Sequence, residues 1–287
     1  MEDIDFSTDV LHDIACDYLT SLSTERKQTS AHHNLATSLF HVEAELGNVV
    51  KTWGMSGFKG WSCGHVQVGK RDDLFMCRLS GSRAGISWLR LAELSERITR
   101  IDIQATVRVV QGTTERIDAH KAEALEFCRV HKDMPIARWI QDNRSGYTLY
   151  LGSRESNVFG RIYDKYAREQ LNQFRECVRY EVQYNSRLAN SIAHVLMRMS
   201  SPKDGMSGYL RQFLQERGVS PPPLYMGQLT PCVPRARTDA DKKLVWLRSA
   251  VRPSVLALIA MGRGAEVLEA LGLVVDDSPN QGLPPNN

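Results

Sequence analysis

The chain has 287 residues, of which 42% are hydrophobic and 24% charged, with a formal net charge of +3. That length suffices for one large domain, or a domain with a satellite, around a packed core, and the composition is that of a soluble globular protein. The charge is too small to mark a nucleic-acid binder by itself, so any DNA surface has to come from local clustering of Lys and Arg. Such clustering occurs at Arg154, Arg161, Arg168, Arg175 and Arg179. The six cysteines contain no Cys-x-x-Cys pair and read as reduced thiols of a cytosolic protein. No apolar run approaches a membrane span, and the opening Met1-Glu-Asp-Ile-Asp5 is too acidic for a secretory signal, so the expected location is the cytoplasm.

Taken in chain order, residues 1–27 mix strand and helix cues. Residues 33–48 have Leu35, Leu39, Val42 and Leu46 near helical spacing, with Gly47 as a stop. Short strands are expected at 61–68, 75–80 and 86–89, with Gly54, Gly57, Gly60 and Gly64 as turn residues and His32 and His33 on the surface. Thr99 to Val110 alternates cleanly. Ile101, Ile103, Ala105, Val107 and Val109 form one face, and Arg100, Asp102, Gln104, Thr106 and Arg108 the other. A helix over 116–131 should turn Ala119, Ala122, Leu125 and Cys128 inward, followed by strands at 136–141 and 147–152.

A strand is expected at 157–164, a short helix at 165–175 and a returning strand at 176–183. Helices at 185–200 and 203–217 follow. Pro221-Pro-Pro223, Pro231 and Pro234 make 218–237 a connector. A helix capped near Thr238 should run until Pro253 ends or kinks it, with another helix around 264–271. The expected organisation is a catalytic and DNA-binding domain over 1–217, the connector, a helical segment over 238–275 and a flexible tail over 276–287. The expected fold is α+β: a curved, antiparallel-rich sheet with one face covered by helices and the other open, plus the C-terminal helical segment.

The strand at 157–164 puts Phe159, Arg161, Tyr163 and Lys165 on one side. A tyrosine hydroxyl flanked by a planar guanidinium and an ammonium suits a phosphate, although a solvated strand face would have the same pattern. If the strands bearing Asp102, Tyr163 and Glu181 share a sheet, their polar faces can converge. Two carboxylates then offer hard oxygen ligands for Mg²⁺ or Mn²⁺. The alternatives are ion pairs of Asp102 with Arg100 or Arg108, and of Glu181 with Arg179 or Arg161.

The run Tyr150-Leu-Gly-Ser-Arg154-x-Ser156, then Arg161-x-Tyr163-Asp-Lys165, then Arg179-Tyr-Glu181 resembles the signature of the replication initiation factor family. These are rolling-circle initiators of plasmids and phages, with related mobile-element relaxases. Ser80-Gly-Ser82, Thr99-Arg-Ile-Asp-Ile103, Leu244-Val-Trp-Leu247 and Val251-Arg-Pro253 extend the likeness, and Asp17-Tyr-Leu-Thr20 resembles the family's opening strand.

The resemblance implies that Tyr163 nicks origin DNA, single-stranded or cruciform at the nick, through a 5′-phosphotyrosine link. Arg161 and Lys165 would assist the tyrosine, Asp102, Glu181 and Asp164 would hold the metal, and Arg154, Ser156 and Arg179 would contact DNA. Thr106 stands where family members often carry a second acid. A conjugative relaxase and a DNA-binding regulator without nicking activity remain alternatives, and a host helicase and a homodimer are conceivable partners.

Overall fold

The computed structural model describes residues 9–24, 31–110, 112–131, 137–142, 146–225 and 251–270. They fall in two compact units, Met1–Pro234 and Arg235–Asn287. In the first unit the strands are β1 (Val10–Thr24), β2 (Val50–Met55), β3 (Phe58–Cys63), β4 (Val66–Arg71) and β5 (Leu74–Ser80), then β6 (Arg97–Arg108), β7 (Ala137–Asp142), β8 (Gly146–Leu151), β9 (Val158–Asp164) and β10 (Cys177–Asn185). They form one sheet in the order β2-β3-β4-β5-β1-β6-β10-β9-β8-β7. Every pairing is antiparallel. The helices are α1 (Ala31–Glu45), α2 (Gly81–Leu94), α3 (Thr113–Val130), α4 (Lys165–Glu169), α5 (Ser186–Arg198) and α6 (Pro202–Gln215).

The two-residue alternation of β6 divides the sheet. Ile101, Ile103, Ala105 and Val107 are fully buried with Val178, Tyr180 and Val182 of β10 and Ile162 of β9. The helices pack on this side. Ala189, Ile192, Ala193 and Leu196 of α5 face the sheet, and Phe213 of α6 presses on the bare backbone of Gly160. Beneath β10, the Tyr180 hydroxyl meets His120 of α3 at 2.9 Å. The opposite face carries the polar side chains, so the expected α+β architecture, one face helical and one open, is what forms.

Several local expectations change. Residues 86–89 belong to α2 and not to a strand, because Ala84, Trp88, Leu91 and Ala92 recur at helical spacing and are buried while Ile86 is 78% exposed. The run 61–68 is split by a turn at Gly64. Gly60 lies inside β3, opposite Gly69 of β4, and is not a turn residue.

In α1 the buried stripe is His32, Ala36, Leu39 and Glu43, leaving Val42 and Leu46 exposed. In α3 it is Arg116, Ile117, His120 and Ala124, with Leu125 exposed. Both stripes are rotated because polar side chains find partners inside. Arg116 pairs with buried Asp9 at 2.9 Å, and His32 sits between two serines.

In the second unit, α7 (Arg252–Ala260) packs on α8 (Gly264–Ala270). Pro253 stands in the first turn of α7, where a missing N–H costs nothing. The helix expected from Thr238 to 250, the connector beyond 225 and the tail from 276 lie outside the described residues. None of the described helices is long and apolar enough to cross a membrane.

Candidate active site

Four strands build the site on the polar face. Pairing sets Tyr163 of β9 opposite Arg179 of β10, and Arg161 opposite Glu181. Glu181 in turn faces Gln104 of β6, while Asp102 faces Gln183 and, on its other side, Tyr18 of β1. Glu181 is the hub. Its Oε1 accepts a hydrogen bond from the Tyr163 hydroxyl at 2.5 Å, and its Oε2 accepts from Arg161 Nε. Arg179 Nη1 lies 4.0 Å from Glu181 Oε1, 3.6 Å from Asp17 Oδ1 and 3.7 Å from Glu169 Oε1, while its Nε donates to Thr106 Oγ1 at 3.2 Å. The Tyr163 ring has the Arg168 guanidinium 4.8 Å from its centre and that of Arg161 at 5.8 Å.

Only 3% of Tyr163 is exposed. Burial, then the Glu181 carboxylate, hold its phenol well above the usual range, against the opposing pull of Arg179 and Arg161. The residue at rest is therefore a neutral phenol donating to a carboxylate. Asp102 is gripped by Arg100 through two bonds, at 2.8 and 2.5 Å, yet burial pushes it up to about 6, with Glu181 adding to the rise. Asp17 is raised as well, by burial and then by Glu181. Lys165 heads α4 with its Nζ 2.5 Å from Glu169 Oε1 and 4.1 Å from the centre of the Phe174 ring. Asp17, Arg161, Tyr163, Lys165, Arg168, Glu169, Arg179 and Glu181 line a cleft of about 930 Å³, which Asp102 and Arg100 do not reach.

Residues 96–222 match the sequence model described as "Replication initiation factor". Over that segment the chain is similar to the replication initiation factor family. The segment contains Asp102, Arg161, Tyr163, Lys165, Arg179 and Glu181. No curated protein sequence matches the chain. Among solved structures, that of a rolling-circle replication initiator protein from Geobacillus stearothermophilus superposes with a TM-score of 0.51 at 19% identity, over 70% of this chain and 85% of that one. The likeness is one of fold.

Of the residues singled out in the sequence, Tyr163, Arg161, Lys165, Arg179 and Glu181 meet around the cleft. Asp102 lies one strand away on the same face. Both alternatives named for the acids also occur, since Asp102 pairs with Arg100 and Glu181 with Arg161. Asp164 stands apart. Its partner in the ladder is Val178, on the helix-covered side. Its carboxylate caps α4 through Ala167 N at 2.9 Å and accepts from Thr113 Oγ1 at 2.5 Å, so it does not face the other two acids. Arg154 reaches over Tyr150, which stacks on Phe159 at 5.6 Å. Ser156 closes the preceding turn by donating to the Ser153 carbonyl at 2.7 Å.

Two residues of the site were not assigned from the sequence. Asp17 was read only as part of an opening strand, and it reaches the cleft because β1 is inserted between β5 and β6, with a register shift between Cys16 and Tyr18. Arg168 was read only as one arginine among several. Thr106, where many replication initiation factors carry a second acid, is buried and tied to Gln104 and Arg179.

For a divalent cation the donor chemistry is suitable. Asp17 and Asp102 are raised first by burial and further by Glu181, so each senses that carboxylate, although all three acids also have an arginine partner. Their side chains do not close on a point, however. Among the described residues no three His, Cys, Asp or Glu side chains gather as a metal-holding group.

Proposed function

We propose that the protein initiates rolling-circle replication by nicking and rejoining origin DNA through Tyr163. What carries this reading is the phenol of Tyr163 hydrogen-bonded to Glu181 in a cleft bordered by Arg161, Lys165, Arg168 and Arg179. In the forward step the phenol oxygen forms a bond to the scissile phosphorus and the 3′-oxygen leaves with the bonding pair and takes a proton from water, giving a 5′-phosphotyrosine and a free 3′-hydroxyl. Glu181, already accepting the phenol hydrogen bond, takes the proton as the attack proceeds. Arg161 and Arg179 offer planar N–H forks to the non-bridging phosphate oxygens, and Lys165 adds a point charge. Rejoining is the same path reversed, since the covalent link conserves the energy of the broken phosphodiester.

Mg²⁺ or Mn²⁺ would be held by Asp102 and Glu181 with Asp17 beside them, and when bound supplies Lewis-acid neutralisation of the phosphate. The DNA is single-stranded or extruded at the nick, because a phenol this recessed is reached more readily by one flexible strand than by a rigid duplex. Arg154, at the rim beside Tyr150, makes the outer phosphate contact.

The test is incubation with supercoiled origin plasmid and Mn²⁺. The parent should yield nicked circles covalently attached to protein. Tyr163→Phe should yield none, and Glu181→Gln should slow nicking by about 10²–10⁴-fold. Equal nicking by Tyr163→Phe would overturn the assignment. Mn²⁺-independent binding with no cleavage by the parent would instead favour a regulator that has lost the chemistry, the reading that Thr106 leaves open.

A further inference from the structure

The open face extends well past the catalytic cleft, across β5 to β2, and its side chains there follow a different pattern. Arg78 of β5 has its guanidinium 5.1 Å from the centre of the Tyr18 ring and 5.5 Å from that of Trp53. Arg100 lies over the other reach of Tyr18 at 4.0 Å and leads back to Asp102. Rings and guanidinium planes therefore alternate in one continuous row, Trp53–Arg78–Tyr18–Arg100, from the far hairpin to the site.

The row is built into the backbone. Gly60 and Gly69 pair with each other beside Trp53, and a Cβ on Gly69 would come within 2.8 Å of the indole. Two adjacent residues without side chains leave a seat on the sheet in which the indole lies. Strands β2 to β5 contain no acidic residue, and they carry Lys51, Lys59, Lys70, Arg71 and Arg78. Among the described residues no carboxylate pairs with Arg78. Its Nε is buried without a hydrogen-bond partner, and Nη1 reaches only Met55 Sδ at 3.5 Å. A guanidinium held between two rings and lacking an anion among the described residues is arranged to receive one from outside. Charge and π-faces in one row match a single nucleic-acid strand, whose bases stack while its phosphates meet the cations. A duplex hides its base faces and would use only the charge.

We infer that this row is a track for single-stranded DNA leading to Tyr163, an inference that rests on the nicking reading for its destination and not for its chemistry. Seven inter-strand spacings of about 4.8 Å separate β2 from β9, so the track spans roughly 34 Å. Trp53, Arg78 and Tyr18 all lie outside the segment matched to the family.

The experiment measures fluorescence anisotropy with labelled oligothymidylate of about 20 nucleotides, longer than typical site sizes, and with a duplex of equal length. The parent should prefer the single strand. Trp53→Ala and Arg78→Ala should each weaken single-strand binding by about tenfold, with much smaller effects on the duplex. Arg78→Lys keeps the charge but not the plane and should recover only part of the loss. Trp53→Phe, which retains a ring in the seat, should bind nearly as the parent does, and thermal melts identify any variant that fails to fold.

Binding by a folded Arg78→Ala equal to the parent's overturns the track. So does equal loss on single strand and duplex, which would mark a merely electrostatic surface. Covalent product formation by Tyr163→Phe is read separately, so nicking and track can fail independently.

Discussion

His32 shows how much a single buried side chain can depend on a partner that the sequence does not reveal. Adjacent to His33 in a polar stretch, it reads as a surface residue, yet it is fully buried with Ser21 Oγ at 3.0 Å from Nε2 and Ser23 Oγ at 3.0 Å from Nδ1. The two serines are two residues apart on β1 and so share a face, which the alternation of β1 would have disclosed had the strand's length been evident. Burial, followed by His33, lowers the imidazole to about 4. A histidine kept neutral in the folded state and free to protonate near 6.5 when unfolded contributes stability that is complete above pH 6.5 and lost as pH falls toward 4. Denaturant unfolding at pH 7 and pH 4 should show the parent losing about 2–3 kcal/mol more than His32→Gln. An equal loss in both would mean that the imidazole takes up a proton in the folded protein. Tyr163 and Glu181 were legible for the opposite reason, since each sits in a motif whose spacing places it on a strand face.

At the scale of elements, strands with strict alternation were readable in position and face, while helices with polar inward faces were readable in position only. β6 and β9 lie within two residues of where their patterns put them. α3 was found, but with its stripe rotated, because Arg116 and His120 point inward to Asp9 and Tyr180. The contact between β9 and α6 was invisible in the sequence, although it sets how closely the strand of Tyr163 meets the helical layer. A Cβ on Gly160 would lie 2.2 Å from the Phe213 ring and 3.0 Å from the Glu181 carbonyl oxygen. Gly160→Ala is therefore expected to cost about 1–3 kcal/mol in urea unfolding, an overpacking penalty. Phe213→Leu in the same chain should recover part of it, with a coupling of about 0.5–3 kcal/mol between the sites. Strict additivity would show that the backbone yields and not the ring.

Over the whole molecule, the strand order decides which charges meet, and local sequence carries little of it. Asp17 and Glu181 are 164 residues apart in number, yet the insertion of β1 beside β6 and of β10 on the other side of β6 brings them to one cleft. The centre so formed is close to neutral: Asp17, Asp102, Glu169 and Glu181 stand against Arg100, Arg161, Lys165, Arg168 and Arg179. The formal charge of +3 thus understates the flanks and overstates the centre, where an incoming phosphate meets the carboxylates of Asp17, Glu169 and Glu181 as well as the cations. Cancelling one negative charge there should favour DNA even as it removes the proton acceptor. In chelator, Glu181→Gln is expected to bind single-stranded oligothymidylate about five- to tenfold more tightly than the parent, from roughly 1 kcal/mol of relieved repulsion, while losing nicking. Mn²⁺ should narrow that gap by strengthening the parent more than the variant, and added salt should weaken both. If Glu181→Gln binds no better than the parent in chelator, the carboxylate acts by holding Arg161 and Tyr163 in place, and its charge is already spent on them.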